Sequence, residues 1–330
     1  MSIMQQRSLG NAGPAVSAVG LGCMGFSQGY GTVDDDESVA AIRVALDSGI
    51  TLFDTAMSYG RGHNERLLAR ALRDAPENVR VATKFGIVRT EDGVGLDGRP
   101  EHVRRYCEES LARLERDVID VYYLHRVDPE VPVAETIGAM AELVSAGKVR
   151  HLGISEATPE QLVQAAAVHP IAAVQFEWSM LWREPERDVV PAARELGIAL
   201  VPYSPLGRGL LTATLDANTV AASDFRRNDP RFQGENLADN LAQVTALREF
   251  AAGLDISAGQ LALAWLLARG SDVVPIPGTR RAVRIRENAA AAAVELSAAQ
   301  LAELERIVPS DGWAGDRRSF AAHGTGRTSA

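Results

Sequence analysis

The chain of 330 residues could hold two average domains, but α/β barrels of about this length commonly form one. A hydrophobic fraction of 46% allows a large core, and a net charge of -9 argues against sequence-independent binding to nucleic acid or to anionic membranes. Because the sequence has no apolar leader, no stretch long enough to cross a bilayer and no disulfide framework, it predicts a cytoplasmic protein without a membrane partner.

Eight short β-branched runs alternate along the chain with longer amphipathic segments. The predicted strands cover residues 18–21, 51–53, 79–83, 119–124, 149–154, 172–175, 199–202 and 273–276. The predicted helices cover residues 36–47, 64–73, 100–115, 133–145, 159–167, 186–195, 257–268 and 280–292. This alternation is typical of βα units and predicts an α/β fold, a closed (β/α)8 TIM barrel formed by one domain of residues 1–330.

Four segments lie outside the repeat. Residues 6–16 predict a β-hairpin that plugs the N-terminal end of the barrel. Residues 206–240 form a polar connection after the seventh strand, and connections of such length usually carry function. Residues 297–308 predict an extra C-terminal helix, and residues 310–330, rich in Gly, Arg, Ser and Ala, predict a flexible C-terminal tail.

Six predicted strands each carry a polar side chain at or just beyond the carboxyl end. These residues are Asp54, Lys84, His125, Ser155, Gln175 and Tyr203. In a barrel those ends meet at the face where active sites lie. Any one of them alone would more often be a solvated strand end, but their recurrence in successive strands predicts a shared site.

Tyr59, five residues after Asp54, completes a group suited to acid–base chemistry. A free tyrosine titrates at about pH 10, and an adjacent ammonium such as that of Lys84 lowers this pKa. Asp54 would compensate the buried lysine, and His125 would orient a carbonyl by hydrogen bonding. The group contains no strong nucleophile and no electron carrier, so it suits a carbonyl that receives hydride from a nicotinamide cofactor.

A metal-dependent hydrolase is the competing enzymatic interpretation of a barrel rim with Asp and His. Such enzymes need several converging ligands, whereas the other histidines are scattered over loops and predicted helix ends. They are His63, His102, His151, His169 and His323.

Motifs spread over nearly the whole chain carry a family resemblance. They are Gly20-Leu-Gly-Cys-Met-Gly, Phe53-Asp-Thr-Ala-Met-Ser-Tyr-Gly, Ala82-Thr-Lys-Phe-Gly, Asp120-Val-Tyr-Tyr-Leu-His, Lys148-Val-Arg-His-Leu-Gly-Ile-Ser, Gln175-Phe-Glu-Trp-Ser, Val201-Pro-Tyr-Ser-Pro-Leu-Gly-Arg-Gly, Pro275-Ile-Pro-Gly-Thr-Arg and Arg286-Glu-Asn. Together they resemble the aldo-keto reductase superfamily, in particular its pyridoxal-reductase-like and potassium-channel-β-like branches. The resemblance implies NADPH-dependent carbonyl reduction on a TIM barrel, with the catalytic tetrad Asp54, Tyr59, Lys84 and His125.

The resemblance also implies where NADPH/NADP+ binds. Ser155 and Gln175 would bond the nicotinamide carboxamide, and Tyr203 would stack on the ring. A glycine-containing turn would bring backbone donors to the pyrophosphate, and three residues near the N-terminus would line the mouth of the site. The turn comprises Ser204, Leu206, Gly207 and Arg208, and the mouth residues are Gly22, Cys23 and Met24.

Preference for NADP over NAD is assigned to residues 280–288. On the predicted helix Arg280, Arg284 and Asn288 share one face near the helix start, where a 2'-phosphate would meet both guanidinium groups. A solvated basic face is the alternative from spacing alone. The other residues assigned to this part of the site are Gly278, Thr279 and Glu287, with Glu287 and Asn288 reaching the adenine.

Two positions depart from the family pattern. Gly278 stands where many relatives carry lysine, so Arg280 must supply that charge. Glu156 stands where many carry asparagine, which alters the contact with the carboxamide.

The substrate side is less specified, and an aldehyde or ketone with a flat or apolar body fits it best. Candidate wall residues, each of which could instead belong to the core, are Met24, Phe26, Met57, Phe85, Trp178, Trp182 and Phe225. Arg126 would attract an anionic substituent or form a rim salt bridge with Asp128.

The alternative function is an NADPH-binding regulatory module with slow turnover. The sequence leaves the oligomeric state open.

Overall fold

A computed structural model describes residues 4–31, 34–90, 93–215 and 224–317. Seven parallel strands form one sheet. They are β3 (Leu21–Gly22), β4 (Leu52–Asp54), β5 (Arg80–Phe85), β8 (Ile119–Leu124), β9 (Val149–Ser155), β10 (Ile171–Glu177) and β11 (Ala199–Tyr203). Their spatial order is β11-β10-β9-β8-β5-β4-β3. The sheet curls into a near-closed barrel, which confirms the predicted α/β TIM-barrel class.

The prediction of a regular eighth strand at 273–276 is wrong, although the chain does close the barrel there. Val274 N donates to Leu200 O at 2.8 Å on the β11 side, and Gly20 N donates to Pro275 O at 2.9 Å on the side of β3. Pro275 and Pro277 have no N–H group to donate in return. The closing segment, residues 272–277, is therefore an extended stretch joined to β3 through proline carbonyls only.

In the described residues, ten α-helices surround or flank the barrel. They are α1 (Asp35–Asp47), α2 (His63–Ala71), α3 (Pro100–Leu114), α4 (Val133–Ser145), α5 (Pro159–Val168), α6 (Val189–Glu195), α7 (Gly234–Gly253), α8 (Ala258–Leu267), α9 (Ala282–Ala290) and α10 (Ala298–Ile307). Successive helices from α1 to α6 pack side by side, and α9 packs against α1, which closes the outer ring. The predicted C-terminal helix is α10, and it packs against α7.

The N-terminal hairpin closes the bottom of the barrel, as predicted. Strands β1 (Gln6–Ser8) and β2 (Ala15–Ser17) pair antiparallel. Leu9 and Val16 are fully buried and join the apolar cluster that fills the barrel interior. Gly10, at φ +64°, allows a close approach, because an added Cβ would lie 2.6 Å from the carbonyl oxygens of Ala172 and Gly197.

Two elements were not predicted from the sequence. A second hairpin, β6 (Ile87–Thr90) and β7 (Gly93–Leu96), follows β5 and stands over the barrel mouth. Helix α7 begins inside the segment expected to be a polar connection, and only its buried residues at 240, 244, 247 and 251 follow a helical spacing. The first of these is Asn240, so the apolar pattern is interrupted where the helix starts.

The predicted tail is described only as far as Arg317. The side chain of Arg317 is 6% exposed and packs against the barrel rim. Residues 318–330 lie outside the described residues, so the flexible tail stays a prediction.

Within the described ranges, no single helix has the length and apolar character needed to span a membrane. Helices α7 and α8 would satisfy those criteria only as a pair, and they meet at 86°.

Candidate active site

The carboxyl ends of the barrel strands bring together all six polar residues that the sequence places there. β4 ends at Asp54, β9 at Ser155 and β11 at Tyr203. Lys84 and Gln175 lie near the ends of β5 and β10, and His125 directly follows β8. The regular parallel pairing of these strands aligns their ends at one face, which makes a shared site possible.

Asp54 and Lys84 form a buried ion pair in the barrel mouth. Lys84 Nζ donates to Asp54 Oδ1 at 2.5 Å and to Thr55 O at 2.7 Å. Gln175 Nε2 donates to Asp54 Oδ2 at 2.8 Å. Burial alone would lower the pKa of Lys84, but Asp54 and Tyr59 outweigh it and raise that pKa, so the ammonium is retained.

Tyr59 lies above this pair at the mouth of the barrel. The ammonium nitrogen of Lys84 is 5.2 Å from the centroid of the tyrosine ring. Burial raises the pKa of Tyr59, and the charge and hydrogen bond of Lys84 pull it down without cancelling that rise. The expected net lowering is therefore wrong in direction, because desolvation of the phenolate is the larger effect. At neutral pH Tyr59 is a protonated phenol.

His125 faces Tyr59 across the same mouth. The two ring centroids are 5.8 Å apart at an interplanar angle of 82°. Burial, together with the charges of Arg126 and Lys84, lowers the pKa of His125 well below its ordinary value. The imidazole is thus neutral, and its buried Nδ1 has no hydrogen-bond partner among the described residues. A neutral imidazole presents one N–H donor, which suits contact with a carbonyl oxygen.

One cavity of about 1070 Å³ extends from this group to the start of α9. That volume slightly exceeds the usual range of a single small-ligand pocket, roughly 300–1,000 Å³, and leaves room for a dinucleotide with a substrate. Asp54, Tyr59 and His125 line the cavity, while Lys84 lies beneath them. Every position assigned to the cofactor lines it except Gly207, which supports the turn from behind, where its Cβ would lie 2.9 Å from Leu181 Cδ2.

Between β3 and the closing segment, bare backbone forms part of the cavity wall. A Cβ on Gly22 would lie 2.8 Å from Ile276 O, and one on Gly278 would lie 2.9 Å from Gly22 O. Glycine at both positions lets a ligand approach the backbone closely. A side chain at 278 would require this backbone to shift, so the cations that line this part of the cavity are arginines.

Arg280 and Arg284 line the cavity near the start of α9, but only Arg284 lies on that helix. The prediction that Arg280 shares a helical face with Arg284 is wrong, because Arg280 lies in a bend, Arg281 is extended and α9 begins only at Ala282. Arg280 Nη2 donates to Tyr30 O at 2.8 Å, and Arg284 Nη1 donates to Glu287 Oε2 at 2.6 Å. Both guanidinium groups still face the one cavity.

Asn288 provides a second reason to place a ligand here. The residue is 4% exposed and lines the cavity, and its side-chain amide makes no hydrogen bond within the described part of the chain. Buried amides normally have partners. The arginines, the open backbone and this amide together fit a phosphorylated dinucleotide.

Glu156, which the family resemblance marks as a departure, forms part of a buried charge cluster. Its carboxylate accepts hydrogen bonds from Arg317 and, at 2.8 Å, from the Tyr203 hydroxyl. Arg317 also lies 3.5 Å from Glu177 Oε2 and 5.3 Å from the ring centre of Trp182. Arg317 thus neutralises Glu156 next to the Tyr203 ring. Sequence reasoning missed this residue, since nothing local marks it.

The substrate walls differ from those proposed. Phe26, Phe85 and Trp178 belong to the core, where Phe85 stacks on Tyr122 with ring centroids 5.0 Å apart. Met24 and Phe225 do line the cavity. Part of the remaining apolar wall comes from residues that the sequence did not single out. They are Tyr30, Ile87, Val94 and Leu96.

The hairpin that supplies three of these residues has a sequence signal. Asp92-Gly93 between two short alternating runs is a strong hairpin pattern, and it could have been used to predict this hairpin.

Metal binding has no support in residues 4–31, 34–90, 93–215 and 224–317, where no three His, Cys, Asp or Glu side chains converge as ligands.

Comparison with known proteins places the chain in a family. Residues 18–309 match the model of the aldo/keto reductase family. The chain is 44% identical to a probable aldo-keto reductase 1 from Glycine max over 317 residues, 95% of this chain and 92% of that protein.

Solved structures of aldo-keto reductases are also similar to this chain. A glycerol dehydrogenase from Gluconobacter oxydans superposes with a TM-score of 0.85 at 30% identity, covering 100% of this chain and 98% of that one. An aldo/keto reductase from Klebsiella pneumoniae, in complex with NADP and acetate, superposes with a TM-score of 0.70 at 27% identity, covering 92% and 96%. The chain therefore belongs to the aldo/keto reductase family of oxidoreductases.

Proposed function

We propose that this chain reduces an aldehyde or ketone to the alcohol with NADPH, using Tyr59 as the proton donor. The observation that carries the proposal is one cavity with two chemically different ends. Tyr59, His125 and the Lys84–Asp54 pair stand at one end, and Arg280 and Arg284 at the other.

The cofactor assignment draws on both structure and relatives. The Klebsiella pneumoniae reductase is bound to NADP, and a second structure from that organism is bound to NADPH. In this chain Gly22, Gly278 and Asn288 leave room and hydrogen-bonding groups where such a dinucleotide would lie. Arg280 and Arg284 would hold the 2'-phosphate, and Tyr203 would face the nicotinamide.

The chain's own residues would orient and protonate the substrate, while bound NADPH supplies the hydride. Neutral His125 would donate a hydrogen bond to the carbonyl oxygen and fix its position. Tyr59, protonated at neutral pH, would deliver its proton to that oxygen as negative charge develops. The retained ammonium of Lys84 would then stabilise the phenolate, and Asp54 would hold the lysine in place.

A panel of carbonyl compounds, followed by nicotinamide absorbance with NADPH and with NADH, tests the activity. We expect rapid NADPH oxidation with at least one aldehyde or ketone. Tight NADPH binding with negligible turnover across the whole panel would instead favour the regulatory module.

Replacement of Tyr59 by phenylalanine tests the proton donor. Because the ring remains and only the acidic hydroxyl is lost, we expect kcat to fall by about 100-fold or more while the Kd for NADPH stays nearly unchanged. Stopped-flow turnover and fluorescence titration with NADPH measure the two quantities.

Tyr122→Phe is the matched control. It removes a buried hydroxyl that has no partner among the described residues, so turnover should be retained. A Tyr59→Phe variant that turns over normally, or that loses NADPH binding in parallel with turnover, would contradict the assigned role.

A further inference from the structure

Arg126 is a cation at the reacting end of the cavity. It follows His125 at the carboxyl end of β8 and lines the cavity next to His125 and Ser155. Its Nη1 donates to His125 O at 2.6 Å and to Ser155 Oγ at 3.2 Å, and its buried Nε has no partner among the described residues. Two neutral acceptors hold the group, and neither neutralises its charge.

The carboxylate of Asp128, one of the two partners that the sequence suggested for Arg126, is used elsewhere. Asp128 accepts backbone N–H groups of Gly98 at 2.9 Å and Glu130 at 3.0 Å. In the part of the chain that the structure describes, Arg126 forms no salt bridge with it or with any other acid. Glu156 is close enough for its charge to interact with Arg126, but it is bound by Arg317 and Tyr203.

The position of Arg126 separates it from the end assigned to phosphates. Counting β3 as the first position around the barrel, β8 is the fourth and the closing segment that leads to Arg280 is the eighth. The two therefore lie on opposite sides of the mouth. The charge of Arg126 instead acts on Tyr59 and Tyr203. Arg126 thus lies close to where the substrate carbonyl would sit.

Arg126 is only partly buried, but a partly buried guanidinium without a salt bridge is incompletely compensated, and an incoming anion would supply the missing charge. The planar fork of arginine matches a carboxylate in two-point geometry. We propose that Arg126 selects carbonyl substrates that carry a carboxylate, which it binds while His125 and Tyr59 bind the carbonyl oxygen. This inference rests on the proposed carbonyl reduction and names its substrate class.

Matched substrate pairs test the proposal. Each pair is a carboxylate and its methyl ester, 4-formylbenzoate in one case and 4-oxobutanoate in the other, so that reactivity at the aldehyde is similar and the charge differs. We expect the wild-type chain to favour the carboxylate in kcat/KM. Arg126→Met should lower the carboxylate-to-ester ratio by about 10- to 100-fold, the effect of losing a charge-assisted hydrogen bond.

Two further variants make the result specific. Arg126→Lys keeps the charge and should retain part of the preference. Arg43→Met removes one positive charge from the exposed face of α1 and should leave the ratio unchanged. An unchanged ratio in Arg126→Met would overturn the proposal, as would a raised KM for NADPH with no change in the ratio, because Arg126 would then serve the cofactor through Ser155.

A binding measurement separates this inference from the proposed function. If the wild-type chain reduces none of the four compounds, the reductase proposal fails for them. Calorimetric titration with 4-(hydroxymethyl)benzoate, the alcohol product, in the presence of NADP+ then tests Arg126 directly. Binding that Arg126→Met abolishes supports the anion site; binding that the variant leaves intact, or no binding by the wild-type chain, overturns it.

Discussion

Tyr59 experiences two opposing influences, and their balance suits one direction of the reaction. Burial holds its proton on, and Lys84 makes the conjugate base less unfavourable than it would otherwise be. A donor must be protonated when the carbonyl arrives and must still release its proton. A buried phenol next to a permanent ammonium meets both needs at neutral pH, which favours the proposed role of Tyr59 in reduction.

The proposed roles of Arg280 and Arg284 predict a cofactor preference that can be measured. Removing both in Arg280→Ala/Arg284→Ala takes away the guanidinium groups proposed to hold the 2'-phosphate, a group that NADH lacks. We expect the Kd for NADPH to rise by about tenfold or more, the scale of one or two charge-assisted hydrogen bonds, with a much smaller change for NADH. Fluorescence titration with both cofactors measures this.

Arg286→Ala is the control on the same helix. Arg286 is exposed, does not line the cavity, and lies two residues from Arg284. It should leave both affinities almost unchanged. Equal weakening of NADPH and NADH by the double variant would reject the phosphate site.

How far the sequence predicts a residue depends on how local its signal is. Asp54, Lys84 and His125 could be placed because each ends an apolar run, and parallel pairing aligns such ends. Arg317 could not, because its partner Glu156 is 161 residues away and no periodicity connects them. The direction of the net pKa change of Tyr59 could not be predicted for a related reason. Burial, its largest cause, depends on all the segments that assemble at the mouth.

At the scale of elements, the strands and ring helices were predictable and the rim was not. Periodicity and capping identify α5 and α8, where Thr158 and Ser257 form capping boxes with Gln161 and Gln260. Helix α7 could not be predicted from apolar periodicity, because Asn240, one of its buried residues, is polar. Its amide is used structurally, donating to Arg231 O at 3.0 Å and to Ala314 O at 2.9 Å. Tertiary contacts of this kind leave no mark on the local pattern.

The segment that carries Arg317 gives a prediction about the rim. The Glu156 side chain is 2% exposed, so Arg317→Met leaves a nearly buried carboxylate without its cation. We expect the free energy of unfolding to fall by about 3 kcal/mol and NADPH binding to weaken, because Tyr203 loses its ordered partner. Denaturant titration and cofactor titration measure these effects.

A double variant and a surface control sharpen that test. Glu156→Asn/Arg317→Met removes both charges and should recover most of the lost stability. Arg306→Met breaks a pair with Glu303 whose side chains are 71% and 45% exposed, and should cost less than about 1 kcal/mol. Failure of the double variant to recover stability would show that charge neutralisation is not what Arg317 provides.

For the whole molecule, Glu177 connects regions that are far apart in the chain. Arg231 Nη1 donates to it at 2.7 Å, and Arg208 and Arg317 lie 3.4 Å and 3.5 Å from its Oε2. Burial alone would raise the pKa of Glu177, but these three cations outweigh it and hold the pKa at about 2, against an ordinary 4.5. β10, the connection after β11 and the C-terminal segment are thus joined by one ionised carboxylate.

This lowered pKa predicts how stability changes in acid. The unfolded chain takes up the proton at a higher pH than the folded one, so the contribution is complete above about pH 5 and is lost as the pH falls towards 2. The loss is on the order of 3 kcal/mol of unfolding free energy. Urea titrations at a series of pH values measure it.

Glu177→Gln should be less stable at neutral pH and should show a shallower loss on acidification. Glu142→Gln, on the exposed face of α4, should follow the wild-type profile. An acid profile of Glu177→Gln with the wild-type slope would contradict the assigned role of this carboxylate.

The two prolines of the closing segment bear on aggregation. Lifting residues 272–277 away would leave β3 and β11 with open edges, the kind of surface that recruits strands from other molecules. The segment itself is a poor recruit for a foreign sheet, because Pro275 and Pro277 cannot donate to a ladder. Transient opening here would therefore expose two unpaired strand edges, but the released segment could not pair well with the edges of another molecule. This limits domain swapping between molecules.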